Sequence, residues 1–277
     1  SGLKGTAEVA KTILSPVTQG VNFVGNFNFA TLLGGANPIE FFKTFGRSAS
    51  PNFLKGQKWN DWFNKRTKLG IIDESINAKQ MQAYMNDISE VVKGNKTTSK
   101  VVNAILYPIR LPTKIYQGAD SIMRATVFDS LRSSIRRNIE PTLKDMPIIN
   151  NRTLEDVLDH FIAERVRMRM PTWSMVPKGI RGLKDVPFFG SFPSWFEEVL
   201  RTTNRSLRGI GNDLSGRSVN DLARQAGFKN ADDMLQKTGY NLRKNKKVMG
   251  YLRGKGMWSL GAGTGLALGY DALTDTS

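Results

Sequence analysis

Residues 111–132 read LPTKIYQGADSIMRATVFDSLR and continue as SSIRRNI to Ile139. After Pro112, apolar side chains fall at Ile115, Ile122, Met123, Val127, Leu131 and Ile135, a spacing close to the 3.6-residue period of an α-helix. The spacing predicts a long helical region over 99–139. Pro108 and Pro112 must break or kink it, because proline lacks the amide donor and its ring clashes with the preceding turn. Alternating β-branched runs, the mark of a strand, are scarce along the rest of the chain. The class expected is all-α: an irregular multi-helix assembly with a long Pro-kinked helix and a connecting loop rich in proline and glycine over 171–193.

Upstream, residues 7–19 and 21–33 read as an apolar helical pair, and Pro38 opens a short helix carrying Phe41 and Phe42. Trp59, Trp62 and Phe63 lie among Lys55, Lys58, Lys65, Arg66 and Lys68. That texture suits stacking on single-stranded bases, but anchoring in a core with solvated lysines between is the stronger reading. Asn77 caps an expected helix to Val92, with Met81, Tyr84, Met85 and Ile88 on one face. Downstream, Thr153 and Asp156 form a weakened capping box before Leu158, Phe161, Ile162 and Val166. Ser194 begins an amphipathic helix with Trp195, Phe196, Val199 and Leu200. Short helices follow over 218–226 and 230–238, then a basic helix over 241–253. Three regions are expected: 1–95, N-terminal and helical; 96–210, central and helical; and 211–277, basic, ending in a glycine-rich apolar helix.

The formal net charge is +16 over 277 residues, and the excess is uneven. From Arg201 to Lys255 there are 13 basic against 4 acidic groups. A field of that sign attracts polyanions, either nucleic acid or an anionic membrane surface. Arg201, Arg205 and Arg208, with Arg243, Lys244, Lys246 and Lys247, are the residues expected to meet phosphate. A further stripe, Arg132 with Arg136 and Arg137, like that of Arg201, Arg205 and Arg208, either tracks a phosphate backbone or pairs with carboxylates of a neighbouring subunit; the alternating Arg165, Arg167 and Arg169 line a groove if the chain is extended there and splay around about half of a helix. No DNA-reading motif accompanies any of them, so non-specific electrostatics is favoured over base readout.

The absence of cysteine excludes disulfides and thiol chemistry. A single histidine, His160, shares a helix face with Glu164 alone and cannot complete a typical zinc set, so no metal, cofactor or catalytic residue is expected. The chain starts Ser-Gly with neither methionine nor a signal-peptide pattern, so a processed product or a piece of a longer protein is expected.

Residues 255–273 read KGMWSLGAGTGLALGYDAL, uncharged from Gly256 to Tyr270. Gly261, Gly265 and Gly269 recur every four residues, a stripe suited to close approach of a second helix, and Trp258 and Leu266 supply bulk beside them. Packing on a neighbour, insertion into a membrane and docking on the chain's own core are the alternatives. Fifteen uncharged residues fall short of the roughly 20 that span a bilayer. The glycine spacing lacks the strand and lysine of a phosphate loop.

Two passages resemble helical regions of very large tailed-phage virion proteins, namely internal or DNA-ejection proteins and related polyvalent proteins that travel with the genome. The first is residues 111–132, with Asp120 and Arg124 entering an apolar-basic run. The second is PSWFEEVLRTTNRSLRG (193–209), preceded by the aromatic loop PFFGSFPSWF (187–196). The resemblance spans about 100–210. It implies a non-enzymatic virion component, located inside capsid or tail and packed near the genome. Such a component would be homo-oligomeric with other virion proteins, bind DNA without sequence preference, take part in DNA delivery, and meet the host membrane on ejection. The other reading it leaves open is a helical nucleic-acid-binding module of a larger phage enzyme such as a virion RNA polymerase.

Overall fold

A computed structural model describes residues 44, 56–74, 76–83, 85, 113–170 and 192–274, with side chains at 113–120, 192–199 and 262–274 outside the description. The described part is 76% helical with no strand, which places the chain in the all-α class. In chain order the main helices are α1 (Gln57–Lys68), α2 (Thr113–Asn138), α3 (Leu154–Arg169), α4 (Phe192–Ser215), α5 (Val219–Gln225), α6 (Ala231–Thr238) and α7 (Lys246–Thr274). Short 3-10 turns at Glu140–Thr142 and Leu242–Lys244 link α2 to α3 and α6 to α7.

The periodic stretch that set the expectation is α2, whose helix begins directly after Pro112. The part of the expected kinked helix preceding Thr113, with Pro108, lies outside the described residues. So do the N-terminal helical pair, the Pro38 helix, the loop expected over 171–193 as far as residue 191, and the end of the Asn77 helix. The start of that last helix is described: Asn77 accepts from the Gln80 amide and Gln80 returns the bond to the Asn77 amide (2.9 and 3.1 Å). Thr153 and Asp156 make the same reciprocal cap on α3, satisfying amides that the first turn leaves without partners. At the end of α6, Gly239 takes the left-handed conformation (φ 75°) and returns its amide to Leu235. Glycine reaches that region without the steric cost of a Cβ.

The buried side chains form one cluster running from Trp59 to Leu252. Trp59, Trp62 and Phe63 of α1 are inside it, so the aromatic-basic stretch is a core anchor and its rings offer no base-stacking platform. Helix α3 is central, packing on α2, α4 and α5, and α4 packs on α7. The domain boundary expected between 210 and 211 falls inside α4. The basic helix expected over 241–253 and the apolar one after it are a single helix, α7, from Lys246. Its start is fixed by Asn245, whose side chain accepts from the Val248 amide (3.2 Å) and donates to the Thr142 carbonyl (3.0 Å). Helix α4 starts two residues earlier than the Ser194 expected.

Candidate nucleic-acid interface

Where the arginines go decides which surface is left for a partner. On α2, Arg132 bonds Asp159 through Nε (2.6 Å) and also pairs with Glu155. Arg136 reaches Glu155 (3.3 Å) and Glu140 (3.5 Å), and Lys65 of α1 joins the same carboxylates. Arg66 pairs with Asp129 and lies 4.2 Å over the Trp62 ring. Arg132 is therefore spent inside the chain, on carboxylates of α3, while Arg136 shares half-exposed pairs at the surface. This removes Arg132 from the phosphate-tracking set and gives both arginines partners within the chain.

Two of the alternating arginines of α3, Arg165 and Arg169, are likewise internal. Helical geometry brings residues four apart onto one face, so Arg165 and Arg169 converge on Asp213 of α4. Arg165 donates through Nη1 to Oδ1 (2.8 Å) and through Nη2 to Oδ2, and Arg169 adds a bond to Oδ2 (2.7 Å). The Ser218 hydroxyl donates to the same carboxylate, which is fully buried. Burial alone would raise the Asp213 pKa, but the two guanidinium groups outweigh it and hold it at about 2. Burial and the like charge of Arg165 lower Arg169 to about 10, leaving it protonated at neutral pH. Burial also opposes the Arg165 charge, and Asp213 outweighs it, so Arg165 is raised. Asp213 is thus a fixed anion that joins α3 to α4. The cluster extends to packing: a Cβ at Gly209 would lie 2.9 Å from the Arg169 guanidinium, and one at Gly256 of α7 would lie 3.0 Å from the Asp213 Cβ.

Gly256 therefore makes the close approach of α7 to α4, and Ser259, three residues on, is buried. Gly261 is about 140° around the helix from Gly256 at 100° per residue, and a Cβ there would meet nothing within 4 Å. Gly265 and Gly269 share the register of Gly261. They and Leu266 are on the α7 backbone, and their surroundings lie outside the described residues. Trp258 is 46% exposed. Among the described residues no helix is long and apolar enough to cross a membrane.

The remaining cations are on the surface. Arg208 is exposed on α4, and Arg201 and Arg205 are partly exposed beside it. Arg243 and Lys244 are exposed in the 3-10 turn, and Lys246 and Lys247 in the first turn of α7. Arg243 bonds Asp232 (3.1 Å). Among the described residues no carboxylate is paired with Arg208, Arg217, Lys244, Lys246, Lys247 or Arg253. The sequence-selected residues form two groups. Lys246 lies ten residues, roughly 15 Å, below Gly256 along α7, whereas Arg208 lies beyond Asp213 in the opposite direction along α4.

Composition gave no sign of one further feature. A cleft of about 330 Å³ opens between α2 and α7. Ser134 and Asn138 form one wall, and Gly250, Tyr251, Gly254, Lys255 and Trp258 the other. The Tyr251 hydroxyl bonds Ser134 (3.1 Å), and the Lys255 ammonium lies 5.5 Å from the Tyr251 ring centre. Burial, then the charge of Arg165, lowers Lys255 to about 8. The only sequence signal was the i, i+4, i+8 run of Gly250, Gly254 and Trp258 down one side of a helix. His160 is half-buried, its pKa lowered by burial and by Arg152. No cluster of metal-ligating residues occurs among the described residues. No family model, curated protein or solved structure matches the chain.

Proposed function

We propose that this chain is a non-enzymatic structural component of a tailed-phage virion, an internal or ejection protein that lies against the genome and takes part in DNA delivery. The reading rests on the resemblance of residues 111–132 and 193–209 to such proteins. The observation that carries it is the division of charge. Among the described residues Asp129, Asp159 and Asp213 are drawn into pairs within the fold, while Lys244, Lys246, Lys247, Arg208, Arg217 and Arg253 face solvent. Lys246 and Lys247 also occupy the first turn of α7, which has no acidic residue. The helix dipole there disfavours cations by about 0.3–1 kcal/mol each, a cost that a bound phosphate would reverse. Association with further copies and with other virion proteins, and contact of the α7 end with the host envelope, complete the proposal.

Titration of DNA affinity against salt tests it. Counterion release requires log K to fall linearly with log salt, by about 0.9 per phosphate contacted on duplex DNA. Affinity that is flat in salt, or absent at low salt, removes the polyanion claim. Liposome flotation and native mass, with and without residues 254–277, test the envelope and assembly parts. Flotation and assembly that survive the deletion unchanged would refute them.

A further inference from the structure

Helices α5 and α6 are joined so that the first holds the second at the surface. Val219, Leu222 and Ala223 bury α5 against α3, and a turn over 226–230 leads into α6. Gly227 bends that turn at φ 99°, a conformation that favours glycine, while Ala226 and Phe228 anchor it in the core. Asn230 caps α6 by accepting from the Asp233 amide (2.8 Å), and Asn220 of α5 accepts from the Ala231 amide (3.2 Å). The start of α6 is thus fixed to α5 both through the turn and through a side chain.

A helix of eight residues is marginal by itself, and α6 buries only Ala231 and Met234. Asp232, Leu235, Gln236 and Lys237 are exposed, so most of its circumference is held outside the core. That is the disposition of the second helix of a helix-turn-helix, which the first supports from behind. Cations border it. Lys229 is exposed in the turn before α6, and the 3-10 turn after it packs on both α5 and α6, carrying the exposed Arg243 and Lys244. The acids of α6 already have partners, Asp233 in Lys237 and Asp232 in Arg243 (3.1 Å each). At the centre of the exposed face stands Gln236, one turn beyond Asp232, with Leu235 beside it, 39% exposed.

We propose that α5 and α6 are a helix-turn-helix that reads duplex DNA, α6 lying in the major groove with Gln236 on base edges and Lys229 and Lys244 on the bordering phosphates. The inference rests on the polyanion reading above and adds a sequence preference to it. A glutamine amide accepts from adenine N6 and donates to N7, and an apolar side chain beside it suits the thymine methyl. The major groove of B-form DNA admits an α-helix, whereas that of an RNA duplex is too narrow. Both helices fall short of the roughly 11-residue window in which a period shows, so the sequence by itself displayed no such motif.

The test selects tight binders to the full chain from a pool of short DNA duplexes randomised at their centre, then measures affinities by fluorescence anisotropy at low salt. The wild type should enrich a short consensus and bind it more tightly than a scrambled duplex of the same composition. Gln236 is exposed, so alanine there keeps the fold. Gln236→Ala should relax the preference at one base pair by roughly five- to a hundredfold, the discrimination that one bidentate side chain supplies, and leave affinity for the scrambled duplex in place. Lys244→Ala should weaken both duplexes alike, as a phosphate contact does. A pool bound without enrichment overturns the base readout and leaves the polyanion reading standing. A consensus unchanged by Gln236→Ala overturns the assignment to α6. An RNA duplex of the consensus sequence bound as tightly as the DNA overturns the major-groove placement. Binding of no duplex at low salt defeats the polyanion reading, and the base readout with it.

Discussion

Asp213 is the residue on which most depends, because three elements meet at its side chain. Arg165 and Arg169 reach it from α3, and Gly256 of α7 packs on its Cβ. Replacing one partner of a buried ion pair leaves the other charge uncompensated, at a typical cost of 3–5 kcal/mol. Asp213→Asn should therefore lower unfolding stability by about that amount in urea denaturation, whereas a loss under 1 kcal/mol would show the cluster to be incidental. The pKa of about 2, below the ordinary 3.8, gives the sign of the acid response. The stabilisation is complete above pH 3.8 and is lost as pH falls through 2, and Asp213→Asn should remove that component of the acid transition. Lys255 runs the other way. Its pKa is lowered from 10.5 to about 8, so the unfolded chain binds the extra proton between those values. Its charge destabilises the fold below pH 8, and the penalty fades as pH rises to 10.5. Lys255→Met should raise stability at pH 7 and confer little at pH 11; equal effects at both would exclude the charge as the cause. Neither residue was legible in the sequence. Arg165 and Arg169 were visible as a basic series, but nothing local to α3 names a carboxylate 44 residues further on.

At the scale of the element, local rules read well wherever the determinants are near in sequence. The period of Ile122, Val127, Leu131 and Ile135 gave α2, and the Thr153–Asp156 pair and the Asn77 cap gave two helix starts. Helix α7 resisted reading because two local signals disagree. Gly250 and Gly254 weaken the helix locally, yet Asn245 caps one whose other face, Val248, Leu252, Gly256 and Ser259, is buried against the body. Packing then outweighs propensity. The glycines of this helix divide accordingly. Gly250→Ala and Gly254→Ala each add a methyl in open space and should stabilise the protein by about 0.5–1 kcal/mol. Gly256→Ala places its methyl 3.0 Å from both the Asp213 Cβ and the Leu214 Cγ. Overpacking of that kind typically costs 1–3 kcal/mol, enough to exceed the gain in propensity. The three single variants compared by thermal unfolding decide it: destabilisation at 250 and 254 would mean those positions are packed, and stabilisation at 256 would mean α4 and α7 yield to each other.

For the whole molecule, net charge was legible from composition, but its distribution was not. The stripe of Arg132 and Arg136 and the series of Arg165 and Arg169 resembled the exposed cations in sequence, and only the fold shows them bound to Glu155, Asp159 and Asp213. A long-range pair leaves no trace in local spacing, so a count of basic residues overstates the surface that meets a polyanion. The cations around the start of α7 are the opposite case, since Lys244, Lys246 and Lys247 are exposed and Arg243 shares only an exposed pair with Asp232. Each phosphate contact on a single strand contributes about 0.7 to the slope of log K against log salt. Replacing Arg243, Lys244, Lys246 and Lys247 together with alanine should lower the magnitude of that slope by about 3, while replacing Arg132 should change stability and leave the slope near its wild-type value. Equal losses of slope in the two variants would mean that the internal pairs open to meet the ligand, and the division of charge drawn from the fold would then fail.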